Sequence, residues 1–283
     1  MAKAIIVGFF AETDLHPGAG QGLGTIDQPV QREGGTGFPV VPATSHKGAV
    51  RSELTEGKPD HQLVPLFGRI EQGQGSQSGS VAFGDIRLLL LPMRCSESTY
   101  KWVTTPTLLE RFDRDVHRAG GAALFKTIPR PSQNELQVAG GAGGTVHIEE
   151  FQFAAKPLAN GKEVVDAVGK LLPNDAPYDK VGARLGQQIA IMNDDDFAWF
   201  CQYGLPVQPH NHLDPDTKES RNLWYEEYLP SDTLLYAINT PRAGRDADLD
   251  SYARELGKRK FLQIGGNETT GEGVCRINIW QVG

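Results

Sequence analysis

Apolar residues crowd residues 3–10, where Ile5, Ile6, Val7, Phe9 and Phe10 follow one another with no polar side chain between Lys3 and Glu12. A short run without alternation predicts a strand buried on both faces, at the start of a sheet. Residues 45–54 place Ala49, Val50 and Leu54 in a stripe and predict a helix, with Thr44 and Ser45 as N-cap residues and a stop near Gly57 and Pro59. Residues 71–80, EQGQGSQSGS, hold no apolar side chain. Nothing there offsets the entropy of ordering, so a mobile loop is predicted. Strand character resumes over 81–93, with a strong apolar run from Leu88 to Leu91.

Thr105-Pro106 opens a helix, because proline is favoured at the first helical position and Leu108, Leu109, Phe112 and Val116 recur at helical spacing. Gly120-Gly121 ends it. Residues 129–144 are rich in proline and glycine, and 146–153 alternate as a half-exposed strand does. A second helix is expected over 162–172, then a short strand over 189–192 and a short helix over 195–203. From 204 to 221 the chain turns polar and carries Pro206, Pro209 and Pro215, an excursion from the core. Strands are predicted at 223–228 and 233–238, an amphipathic helix at 246–258, and closing strands at 260–264 and 274–282 around the glycine-rich residues 265–273. Irregular alternation with hairpin-like strand pairs predicts an α+β fold with a mostly antiparallel sheet, organised as one domain over 1–283.

Composition narrows the class. With 39% hydrophobic and 22% charged residues the chain reads as soluble and globular, and no apolar run approaches a bilayer span. The opening MAKAIIVGFF is too short and too weakly basic for a signal peptide. Cys95, Cys201 and Cys275 are widely spaced and form neither a zinc pattern nor a disulfide framework, which fits a reducing, cytoplasmic setting with no membrane partner. A net charge of -7 argues against coating nucleic acid by charge alone but leaves room for a local basic groove. The acids at Glu149-Glu150, at 194–196 and at 246–250 are expected on solvated faces.

Candidate chemistry concentrates in residues 15–51. Gly18, Gly20, Gly22 and Gly24 alternate, Asp27 follows, and Lys47 and Arg51 sit on the predicted helix. Amides freed by glycines, with cations just inside a helix start, make an anion-binding arrangement. The glycine spacing does not satisfy the dinucleotide fingerprint, and Glu272 stands where a Walker loop needs lysine. His210, His212 and Asp214 match no standard metal spacing and read as an exposed polar loop. With no nucleophile elbow, Asp27 and His16 are the local acid and base candidates, Asp27 as a general base or a ligand for a divalent cation; its bland reading is a turn cap.

Leu15-His16-Pro17-Gly18, Ile26-Asp27-Gln28-Pro29-Val30-Gln31-Arg32-Glu33, Thr36-Gly37-Phe38-Pro39-Val40 and Lys47-Gly48 closely resemble the backbone subunit of the type III-B CRISPR effector, the Cmr complex, in the RAMP superfamily. Residues 223–233, LWYEEYLPSDT, and 262–269, LQIGGNET, resemble the same subunit, so the similarity spans nearly the whole chain. The resemblance implies a ferredoxin-like, RRM-like palm with inserted loops, among them a thumb hairpin at 203–221. It implies an endoribonuclease active within the assembled complex. Copies stack head to tail along a CRISPR guide RNA, beside other subunits, and cut the paired single-stranded target RNA at regular intervals.

Cleavage in the family depends on a divalent metal, Mg2+ or Mn2+, and proceeds by attack of the ribose 2′-hydroxyl on the adjacent phosphate. The resemblance maps the required aspartate onto Asp27, which is also the candidate metal ligand. His16 and Glu226 or Glu227 match motif positions and are further catalytic candidates, either orienting the substrate or satisfying loop hydrogen bonds. Arg32, Lys47, Arg51, Gly265 and Gly266 are the candidate RNA contacts, the glycines by allowing close backbone approach. The sequence departs from the family pattern at Gly34-Gly35 and at His46, where an apolar residue is usual. A purely structural guide-binding subunit and a nuclease processing guide precursor, with His16 as acid or base, are the alternatives.

Overall fold

A computed structural model describes residues 4–22, 24–55, 63–71, 75–141 and 143–282. The chain runs β1 (Ile5–Ala11), β2 (Val40–Val41), α1 (Ala43–Thr55), α2 (Val64–Phe67), β3 (Gly68–Glu71), β4 (Gly75–Ser78), β5 (Val81–Phe83), β6 (Ile86–Cys95), β7 (Ser98–Thr104), α3 (Pro106–Arg118) and β8 (Glu135–Val138). It continues through β9 (Gly144–Ile148), β10 (Phe151–Pro157), α4 (Gly161–Gly169), α5 (Ala176–Gln188), β11 (Ile189–Met192), α6 (Asp194–Tyr203), β12 (Val207–Leu213), β13 (Ser220–Glu227), β14 (Leu234–Pro241), α7 (Asp246–Leu256), β15 (Phe261–Gln263) and β16 (Val274–Gln281).

All seven residues of β1 are buried, because β14 and β16 flank it and helices cover the sheet. Gly8 is needed there: a Cβ would collide with the carbonyl of Leu171, which lies directly on the strand. The central strands run in the order β16-β1-β14-β6, all antiparallel to their neighbours, with α1 between β1 and β6 in sequence and α7 between β14 and β16. Beyond β6 the sheet continues β7-β11-β8-β10-β9, and Cys95 of β6 pairs Ile148 of β9, so these six strands close on themselves. Among the described strands only the β10–β8 and β11–β7 pairs are parallel. The α+β class and the mostly antiparallel sheet are therefore as the sequence predicts.

Several local expectations change. The low-complexity stretch at 71–80 is not a free loop: residues 75–78 pair with 68–71 as an antiparallel hairpin, while 72–74 lie outside the described residues. The predicted strand at 146–153 is a hairpin, β9 and β10, turning at Glu149-Glu150 with Glu149 at φ 51°. Helix α1 starts at Ala43, so Thr44 and Ser45 fall in its first turn; Asp85 accepts from the Ala43 amide at 2.8 Å in place of an N-cap side chain. The predicted stop at Gly57 and Pro59 lies outside the described residues. By contrast Thr105 caps α3 as expected, accepting from Leu108 at 3.2 Å.

The acidic run at 194–196 is more than a solvated face. Asp194 accepts from the Thr107 amide at 3.1 Å and Asp196 from the Asn134 amide at 2.7 Å, which staples α6 to the start of α3 and to the turn before β8. The polar excursion forms the two-stranded hairpin β12–β13, whose return strand runs on to Glu227. His210, His212 and Asp214 accordingly lie on a strand and its turn: His210 stacks on Trp224 with ring centroids 5.5 Å apart, and Asp214 accepts from the Asp216 and Thr217 amides and pairs with Arg221. No described helix is long and apolar enough to cross a membrane.

Candidate RNA-cleavage site

Two clefts flank the stretch from Leu15 to Arg51. The smaller, about 430 Å³, lies between the glycine loop and the hairpin and is lined by Gln21, Gly22, Asp27, Gln28, Asn222, Leu223 and Trp224. Its shape follows from an edge-on junction. The Gln28 amide donates to the Tyr225 carbonyl at 3.0 Å and the Glu227 amide to the Gln28 carbonyl at 3.0 Å, so the loop runs parallel to the end of β13. Asp27 is exposed, and its Oδ2 accepts from the Tyr225 amide at 2.8 Å. Oδ1 has no hydrogen-bond donor among the described residues, and Asp27 lines the cleft. Among the described residues the Asp27 carboxylate thus caps no amide of its own turn, which the bland reading of a lone loop aspartate requires, and holds instead the amide of a distant strand.

No three His, Cys, Asp or Glu side chains come together to hold a metal ion among the described residues. Asp27 supplies one carboxylate, half of it already bonded. A divalent ion therefore does not fit as a group held by the protein alone.

The other catalytic candidates are turned away from this cleft. His16 is buried, and its Nδ1 donates to the Glu227 carbonyl at 2.7 Å, which fixes the proton on Nδ1. The opposite edge of the ring packs against Gly18 and Gly266, where little room remains for a Cβ. Glu227 is also buried and faces Arg32. Its Oε1 accepts from Arg32 Nη2 at 2.8 Å, and its Oε2 accepts from Arg32 Nη1 at 3.1 Å and from the Val30 amide at 3.0 Å. Arg32 Nη2 also donates to the Cys201 carbonyl at 2.5 Å. The expected catalytic acid and the expected RNA contact are spent on each other, and neither lines either cleft.

The larger cleft, about 680 Å³, runs between α1 and the loop after β15. Gly18, Gly48, Gly265 and Gly266 form much of its floor, with Ser45 and Ser52 along one side. Gly265 holds φ 88° and a Cβ there would collide with the His16 carbonyl, which itself accepts from the Gly266 amide at 2.9 Å. The buried stripe of α1 is His46, Val50 and Leu54. Lys47 and Arg51 follow that stripe by one residue and Ser45 and Ala49 precede it by one, which places them about 100° round the helix on opposite flanks. The small residues take the cleft, and the two cations do not line it.

Sequence reasoning missed the network that seats the hairpin. Glu226 accepts from Trp224 Nε1 at 2.5 Å, from Tyr228 at 2.8 Å and from Asn267 Nδ2 at 2.6 Å. Burial pushes its carboxyl up, and the three donors outweigh that and hold it below the usual carboxylate range. Tyr228 in turn accepts from Asn267 at 3.0 Å and bonds His210 Nε2 at 2.8 Å. Burial and the Glu226 carboxylate push the Tyr228 hydroxyl far above its ordinary value. The period of two in Trp224-Tyr225-Glu226 was the available signal, since it puts Trp224 and Glu226 on one face.

Residues 11–276 match the RAMP superfamily. The chain is 35% identical over 295 residues to the CRISPR system Cmr endoribonuclease Cmr4 of Pyrococcus furiosus, covering 99% of this chain and 97% of the relative. The crystal structure of oligomeric Cmr4 from Pyrococcus furiosus superposes with a TM-score of 0.79 at 30% identity, covering all of both chains. A chain in a type III-B Cmr-beta complex bound to cognate target RNA shares the fold, with a TM-score of 0.77 at 21% identity over 98% of this chain and 97% of its own.

Proposed function

The chain belongs to the RAMP superfamily, and from that membership we propose that it is the repeated backbone subunit of a type III-B CRISPR effector, binding guide RNA and cutting the paired target RNA. The endoribonuclease named for the Pyrococcus relative supports the activity, and the oligomer named for its crystal structure supports copies stacked head to tail with other subunits on one guide. The order β16-β1-β14-β6 with α1 and α7 as crossovers supports a ferredoxin-like palm, and the hairpin β12–β13 supports a thumb. The whole chain, 1–283, acts as one unit in this reading.

The observation that carries the assignment is the exposed Asp27 carboxylate in the cleft beside the hairpin, tied to the Tyr225 amide. A hairpin that displaces one target nucleotide puts its ribose next to Asp27. The 2′-oxygen then forms a bond to the adjacent phosphorus as the bond to the 5′-oxygen breaks. Asp27 orients the 2′-hydroxyl and takes its proton, and water protonates the leaving oxygen. In-line geometry supplies most of the acceleration, which suits a cleft lined, among the described residues, by one carboxylate and no histidine. Mg2+ or Mn2+ enters this reading only as a counter-ion held mainly by RNA phosphates.

The large glycine-floored cleft takes the guide backbone, with Gly265 and Gly266 allowing close approach and Ser45 and Ser52 of α1 along one side. The test is to assemble the complex with a defined guide and supply complementary and scrambled RNA. Cutting of the complementary strand alone, at regular spacing, with 2′,3′-cyclic phosphate and 5′-hydroxyl ends, is expected. Equal cutting of scrambled RNA, or 3′-hydroxyl ends, overturns it.

A further inference from the structure

We propose that Arg32 and Glu227 are positioning residues for Asp27: a buried ion pair that locks the loop carrying the cutting carboxylate onto the end of the hairpin's return strand. The proposal rests on the assignment of Asp27 as the cutting residue.

The geometry is specific. The Arg32 and Glu227 side chains are only 16% and 3% exposed. The guanidinium meets the carboxylate edge to edge through two parallel N–H bonds, an arrangement with one good orientation. The pair then reaches three segments. Glu227 Oε2 accepts from the Val30 amide, Arg32 Nη1 donates to the Val30 carbonyl at 3.3 Å, and Arg32 Nη2 donates to the Cys201 carbonyl in α6. Loop, hairpin strand and helix therefore share one junction. Asp27 lies three residues before Val30, and Tyr225, whose amide holds the Asp27 carboxylate, lies two residues before Glu227. A slip between loop and strand at Val30–Glu227 is passed to Asp27–Tyr225 through the intervening backbone bonds of Gln28.

Truncating either partner leaves a cavity as well as an unpaired charge, so the fork's geometry is best probed by near-isosteric changes, which leave no cavity. Glu227→Gln keeps the shape and loses the charge, and Arg32→Lys keeps the charge and loses the fork. Each variant is assembled into the full guide-loaded complex alongside Asp27→Ala, and target affinity and the single-turnover cutting rate at saturating target are measured. A misplacement of the order of 1 Å costs roughly a hundred-fold in rate. The expectation is a cutting rate lowered roughly 10- to 100-fold in both variants, with assembly and target affinity unchanged. Wild-type cutting in either variant while Asp27→Ala is inactive overturns the positioning role and leaves the Asp27 assignment standing. Loss of cutting fully accounted for by lost assembly or target binding makes the pair structural, and also overturns it. Normal cutting by Asp27→Ala overturns the underlying assignment instead.

Discussion

The Asp27 carboxylate accepts a hydrogen bond from the Tyr225 backbone amide at 2.8 Å, across 198 residues of sequence. The residue proposed to cut and the strand proposed to displace the target are thereby one mechanical unit. Nothing in a loop aspartate's own neighbourhood provides this. It comes from the return strand ending alongside Gln28.

The seating of that strand is testable. Glu226 is buried with three donors on its carboxylate. Glu226→Ala removes the acceptor shared by Trp224, Tyr228 and Asn267, at a cost of about 1–3 kcal/mol for the buried Tyr228 hydroxyl. The expected result is a lowered Tm together with faster proteolysis within the hairpin, read by limited digestion and mass spectrometry. Unchanged hairpin cleavage would show that the network does not hold the hairpin down.

His16 is expected to be structural. With Nδ1 bonded to the Glu227 carbonyl and the ring packed on Gly18 and Gly266, His16→Ala should destabilise the chain by about 1–3 kcal/mol. Target cutting per assembled complex should fall less than about ten-fold, since the ring does not line the cleft of Asp27. A loss comparable to that of Asp27→Ala, in a variant that assembles, would restore His16 to catalysis.

The serine flank of α1, and not the cation flank, is predicted to face the guide. Ser45 and Ser52 are exposed and line the large cleft. Ser45→Glu and Ser52→Glu should each change stability by no more than about 0.5 kcal/mol, as surface substitutions do. Guide retention measured at fixed salt should nevertheless weaken roughly ten-fold per added charge in the cleft. Retention equal to wild type would place the guide elsewhere.

His46 makes stability depend on pH. Burial drives its pKa down to about 4 from 6.5, opposed by its hydrogen bond to the Gly84 carbonyl and by Asp85, with Phe9 and Phe83 packed edge-on to the ring. The unfolded chain therefore binds a proton that the folded chain does not between pH 6.5 and pH 4. Stability falls as the pH drops through that window, by on the order of 3 kcal/mol at full extent. His46→Leu should flatten the acid side of the Tm–pH curve over the same range. Identical slopes in both proteins would refute the assignment.

Much of the fold was legible in local pattern. The unbroken apolar run of β1, the Thr105-Pro106 start of α3 and the apolar stretch of β14 are short-range signals, and these elements lie where the sequence predicts them. The β3–β4 hairpin was invisible because backbone pairing makes it, with no apolar pattern to betray it. Ser98–Thr104 and Ala176–Gln188 were passed over, the first because Lys101 and Trp102 break a simple alternation although both are buried, the second because Leu185 is its only fully buried side chain. At the site, chemistry marked Asp27 as an acid candidate with a turn cap as its bland reading, and only the resemblance assigned it the cutting role. The roles of Arg32 and Glu227 were not legible, since 195 residues separate two charges that read, singly, as an RNA contact and an acid.

The central claim is that Asp27 does the cutting within a guide-loaded assembly. The direct measurement is target-RNA cleavage by complexes assembled with Asp27→Ala, with guide loading and target affinity determined on the same preparations. The account predicts normal loading and binding with cutting reduced by at least about a hundred-fold. Cutting at the wild-type rate and spacing by a fully loaded Asp27→Ala complex would contradict it.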